Sequence, residues 1–217
     1  MRSRATLAAL RLARCCPMAF WRGPVVLILF PSSTMAHHAM DRRIPSTFTE
    51  GMLSGVAHPV IGLDHLAAIL AVGLLAAMFV RGHLLPMAFL AAAFAGVIVH
   101  VGGAAVPFGE SLVALSLVIL AASLWWRANI SVAYVIGLFA AAGLLHGYAY
   151  GEAIAGAEAT PLAAYLAGLT VVQYALSLIA FWIGRYLLAT SGNAAIRRAS
   201  ALIVLVVGVA SLLTTLG

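Results

Sequence analysis

The chain has 217 residues, of which 64% are hydrophobic and only 8% charged. Soluble domains carry about 25% charged residues, so this composition excludes an ordinary water-soluble globule and makes the bilayer the natural solvent. The formal charge of +6 comes from twelve arginines with no lysine; no basic stripe is interleaved with aromatics, which argues against a nucleic-acid surface.

Residues 1–36 read as an export signal. Arg2, Arg4, Arg11, Arg14 and Arg22 form a long basic region, Pro24 to Phe30 a short apolar core, and Thr34-Met35-Ala36 a small-residue cleavage site. The alternative is an uncleaved anchor, for which the apolar core is short. Cleavage after Ala36 leaves His37 and His38 at a new N-terminus and removes Cys15 and Cys16, the two cysteines of the chain. A metal site in the mature protein then has to use His, Asp, Glu, backbone or water.

The rest, 37–217, reads as a single transmembrane domain. After a polar stretch from Asp41 to Glu50, apolar segments predict six spans, at 57–80, 84–105, 108–126, 131–149, 162–184 and 199–216. The expected fold is all-α, a polytopic membrane helix bundle. Small residues such as Ala91-Ala92-Ala93 and Gly102-Gly103 suit close helix contact in lipid. Arg81, Arg127, Arg185, Arg197 and Arg198 all fall in loops on one side of a six-span chain. The positive-inside rule makes that side cytoplasmic and both mature termini periplasmic, in a bacterial inner membrane. Export by the leader independently requires the same N-terminal placement. Arg42 and Arg43 lie on the other side, next to the leader.

Ionisable groups inside spans are costly and mark sites or pathways. On this topology His58, Asp64 and His65 lie in the outer half of span one, and His100 and Glu110 near the outer ends of spans two and three. His146 and Glu152 bracket the outer end of span four, and Glu158 lies in an outer loop. His83 stands apart, in a cytoplasmic loop beside Arg81. Imidazoles and carboxylates without thiols suit borderline divalent ions such as nickel, cobalt or zinc, and argue against a tight structural zinc site. Each histidine alone also fits a helix-end residue bonded to a carbonyl, so the grouping carries the metal reading. His37 and His38, beside a free amine, are further metal candidates, or a solvated tail.

The first cluster runs His58-Pro59-Val60-Ile61-Gly62-Leu63-Asp64-His65. Residues seven apart on a regular helix share a face but lie about 10 Å apart along the axis. A continuous helix therefore cannot place both histidines on one ion. Either Pro59 and Gly62 mark a break that folds His58 back, or the two histidines serve successive positions, with Pro59 an ordinary helix-start proline. The second cluster is His146-Gly147-Tyr148-Ala149-Tyr150-Gly151-Glu152. Its glycines four apart let another helix approach His146 closely, or form a packing stripe.

These two clusters, His-x5-Asp-His and His-Gly-x-Ala-x-Gly-Glu, resemble the HupE/UreJ family of nickel and cobalt permeases. Pro107-Phe108-Gly109-Glu110 leading into Ala114-Leu115-Ser116 is similar to the family's third span. The resemblance covers most of the mature chain, including a leader with a histidine just after it. It implies uptake of nickel, sometimes cobalt, for hydrogenase or urease maturation. Family members often carry a further histidine in the fifth span, where this chain reads Thr170-Val171-Val172-Gln173-Tyr174.

The leading reading is a secondary permease, not an enzyme. A divalent ion (nickel, then cobalt, with zinc also compatible) leaves water for His58, Asp64, His65, His146 and Glu152, with His37, His38, His100 and Glu110 as further ligands. No GxxxxGK[ST] loop is present, so the chain does not hydrolyse ATP itself. The other classes are an intramembrane metalloenzyme, which lacks an HExxH or GxSxG signature, and a metal-binding accessory or sensor protein. Lipid and the metal ion are the expected partners, and a homo-oligomer is compatible with the sequence.

Overall fold

The computed structural model describes residues 43–126, 130–190 and 194–216. The expected leader and His37-His38 lie outside them, as does Arg127. Within the described residues seven α-helices follow one another and no strand occurs. They are α1 (Phe48–Ile61), α2 (Leu63–Ala76), α3 (Pro86–Val101), α4 (Gly109–Trp125), α5 (Val132–Gly151), α6 (Ala159–Thr190) and α7 (Ala194–Leu216), with a 3-10 turn at Gly82–Leu84. This is an all-α, multi-pass membrane bundle. Four helical segments are long and apolar enough to cross a bilayer, and the bent α1–α2 pair brings the number to as many as five. The helix α4 is a shorter apolar helix of 17 residues.

Span one differs from the expectation at both ends of its first half. Helix α1 begins at Phe48, not near residue 57, because the polar stretch ahead of it holds a cap. Thr47 Oγ1 accepts the Glu50 N–H at 3.2 Å, and Ser46 donates its N–H and hydroxyl to Glu50 Oε2 at 2.8 and 2.9 Å. This reciprocal arrangement ties off amides that a helix start leaves unpaired. Pro59 accordingly lies inside α1 and does not start a helix. Helix α6 is also longer than expected. Its 32 residues span about 48 Å at 1.5 Å per residue, more than the ~30 Å hydrocarbon core, so it tilts or extends beyond it.

Small residues let the helices meet backbone to backbone. The α1–α2 pair runs alongside α6 in the same direction, with Gly51 on Pro161, Gly55 on Tyr165 and Gly73 on Ser177. Helices α3 and α5 are also parallel neighbours, with Gly143 on Phe89 and Gly147 on Ala93. Helix α7 lies antiparallel to α4, where Ser111 Oγ and Thr215 Oγ1 are 3.0 Å apart and Arg197 donates to the Leu124 carbonyl at 2.6 Å. Large apolar side chains such as Val171, Trp182, Ile203 and Leu213 face outward, as a lipid-facing surface requires.

These directions sort the charges. Glu50, Glu110, Glu152, Glu158 and His100 gather at the end where α3, α5 and α7 finish. Arg81, Arg185, Arg197, Arg198 and His83 gather at the opposite end. Among the described arginines, Arg43 is the exception.

Candidate metal centre

The site is built by the interruption in the first span. Pro59 has no N–H for the carbonyl four residues back. Gly62 then leaves the helix in an extended conformation, with φ −73° and ψ 109°. Helix α2 restarts at once, with Asp64 Oδ1 accepting the His65 N–H at 2.8 Å. The two helices are bent by 79°. His58 is thereby folded back on His65, and their ring centroids are 5.5 Å apart. Of the two arrangements the sequence allows, the structure has the break.

Helix α5 supplies a third imidazole. His146 is fully buried, and its Nδ1 lies 2.9 Å from His65 Nδ1. Its Nε2 lies 3.1 Å from Ser116 Oγ on α4. Counting protons fixes the tautomer. Ser116 has one hydroxyl hydrogen and donates it to the Val113 carbonyl at 2.7 Å. It can therefore only accept from His146, which carries its proton on Nε2. His146 Nδ1 is then a bare lone pair, and His65 Nδ1–H donates to it. Such an outer partner sets which nitrogen a ligand histidine presents.

Aromatic side chains close the cluster. Tyr150, one turn beyond His146, is fully buried, with its ring 4.4 Å from that of His65 and 5.3 Å from that of His58. Tyr165 of α6 donates its hydroxyl to the Tyr150 carbonyl at 2.8 Å. Phe89 of α3 stands 5.8 Å from the His146 ring. The half-buried Asp64 carboxylate bears electrostatically on His146. The three imidazoles form a chain, His58 to His65 to His146. Among the described residues no three His, Cys, Asp or Glu side chains are placed to hold one metal ion as they stand.

The other expected ligands fall elsewhere. Glu152 is exposed at the end of α5, and Glu110 is exposed in the first turn of α4. His100 packs its ring on Tyr148 at 4.6 Å, beside Gly151. They line the acidic end and not the imidazole chain, while His37 and His38 lie outside the described residues. A groove lined by Leu74, Met78, Leu124, Gly184 and Arg197 opens near the arginine-bearing end and includes no histidine.

Two residues beside the imidazoles, Ser116 and Tyr150, are not legible as such in the sequence. Ser116 stood only within a stretch similar to a family span, and Tyr150 only between two glycines. Gln173, a lone amide in the apolar run 162–184, is 1% exposed.

Ser116→Ala is expected to leave the His146 Nε2 proton unpaired and, if the imidazoles hold a metal, to lower its affinity by about 10–100-fold, the usual loss for an outer-shell partner. Ser116→Thr restores it. Nitrogen-15 NMR of the imidazoles reads the change directly. Retention of a pure Nε2–H tautomer with unaltered affinity in Ser116→Ala would remove Ser116 from the site.

A family model described as HupE / UreJ protein matches residues 25–211. Protein HupE of Rhizobium leguminosarum bv. viciae is 29% identical over 157 residues, which is 70% of this chain and 77% of that relative. No solved structure matches.

Proposed function

This chain belongs to the HupE/UreJ family, and from that premise we propose that it is a secondary permease for a divalent transition-metal ion, nickel first and cobalt next. The observation that carries the reading is the buried contact between His65 and His146, with His58 folded back beside them. Three histidines gathered inside a membrane bundle are costly unless they serve a ligand or a pathway.

The acidic end is the entrance, facing the periplasm, and the arginine end faces the cytoplasm, as the positive-inside rule favours. Glu110, Glu152 and Glu158 draw the hydrated cation to that end without binding it tightly. At the break the ion exchanges water for imidazole nitrogen. It takes the place of the proton between the two Nδ1 atoms, and His65 then carries its own proton on Nε2. Two nitrogens bound at about 2.0–2.1 Å and at right angles are about 2.9 Å apart, as a square or octahedral ion would need. The Nδ1 atoms have that spacing already, at 2.9 Å. Asp64 offsets part of the cost of bringing a dication into low dielectric. Supply of metal to hydrogenase or urease maturation is the role that the family resemblance implies.

Metal accumulation by cells tests the proposal. Expression of the wild-type chain in a strain lacking nickel importers is expected to raise cytoplasmic nickel several-fold over an inactive control. Purified protein that holds nickel, in cells whose accumulation does not respond to its expression, would instead make it an accessory or sensor protein.

A further inference from the structure

Gln173 lies on the stripe of α6 that supports the broken span. Residues 165, 169, 173 and 177 follow at intervals of four and share a face. Along that face Tyr165 and Leu169 meet the backbone at Gly55, and Ser177 meets it at Gly73. Gln173 sits between these two contacts, at the level of the interruption at Gly62. It is 1% exposed, and its amide lies beside the Tyr150 hydroxyl. Neither Gln173 Nε2 nor Tyr150 Oη makes a hydrogen bond of normal geometry among the described residues. The Tyr150 ring in turn rests on His65 and His58.

Two buried, adjacent polar groups with at most each other as a poorly aligned partner are expensive in a membrane bundle. Such groups mark places where a ligand supplies the missing partner. The oxygen and nitrogen of a glutamine amide exchange places by a half-turn, so this side chain can offer an oxygen lone pair to a cation.

We infer that Gln173 is a specificity-determining ligand of the transported divalent ion, adding its amide oxygen, together with the Tyr150 hydroxyl oxygen, to the imidazole nitrogens. The inference rests on the permease reading above and says which ion that site prefers. Three imidazoles alone make a good four-coordinate zinc site. Neutral oxygen donors on the far side raise the coordination number and favour six-coordinate ions such as nickel and cobalt. Geometry, not raw affinity, must provide this selection, because affinity for simple nitrogen and oxygen sites follows a fixed order among first-row metals.

The test is competitive titration of purified full-length protein with nickel, cobalt and zinc against a chromophoric chelator. Gln173→Leu is expected to lose about 10-fold or more in nickel affinity, the scale of a lost contact at a metal site, while zinc affinity changes much less. Gln173→His is expected to move the preference towards zinc. Gln173→Glu, nearly the same size, is expected to hold nickel more tightly than wild type, and it keeps the test decisive should the leucine variant fail to fold. Wild-type metal order and affinity in both Gln173→His and Gln173→Glu overturn the inference alone. A wild-type protein that binds none of the three metals overturns both the inference and the permease reading.

Discussion

Purified His65→Ala protein is expected to bind nickel at least about 100-fold more weakly than wild type, beyond the range of an outer-shell loss, and cells expressing it to accumulate none above background. His65 is the middle member of the imidazole chain. Its ring is 5.5 Å from His58 and its Nδ1 is 2.9 Å from His146 Nδ1. Removing it leaves His146 with a bare, buried lone pair and separates the other two rings. The substitution falls in the first turn of α2, where alanine is a good helix residue, so the fold should survive. His65→Gln separates the roles further. A glutamine amide can still donate to His146 Nδ1, so it preserves the polar contact while removing a good metal ligand. Calorimetric titration of both variants is the check. Wild-type nickel affinity in either one would take His65 out of the ligand set.

Gly147→Val is expected to destabilise the folded bundle by about 3 kcal/mol or more, at the upper end of overpacking costs. A side chain at Gly147 would run into the Ala93 backbone, at both its Cα and its carbonyl. Backbone cannot move aside as a flexible side chain can, so α3 and α5 would have to separate. That separation also displaces His146, the residue immediately before. Gly137 on the same helix is the matched control, because nothing lies within 4 Å of a Cβ added there. Gly137→Val is expected to be close to neutral, since valine is no worse a helix former than glycine. Thermal unfolding in detergent, followed by size-exclusion profile, distinguishes the two. Equal stability of the two variants would contradict the close α3–α5 approach.

Much of this architecture is readable in the chain because bilayers impose strong rules. Apolar runs mark the helices, and the separation of arginines from glutamates by end follows from their places between those runs. The seven-residue spacing of His58 and His65 is informative in another way: a regular helix keeps the two apart, and the break at Gly62 brings their rings within 5.5 Å. What periodicity cannot reveal is which helix faces which. Glu152 shares a motif with His146, but the extra turn and a half of α5 carries it to an exposed end. The start of α1 was hidden because Ser46, Thr47 and Glu50 read as a polar linker when they are a helix cap. In the sequence Gln173 marks only a place without a histidine. Only packing puts its amide opposite the break.

The central claim is that the break makes His58, His65 and His146 ligands of one ion. X-ray absorption of the nickel-loaded protein, with nickel counted per chain, tests it most directly. The account predicts one ion per chain, several imidazole scatterers together with lighter oxygen donors, and a loss of imidazole signal in each single histidine variant. Two ions per chain, or one ion with a single imidazole that only one of the three variants removes, would mean that the histidines serve separate positions and that the break does not create a shared site.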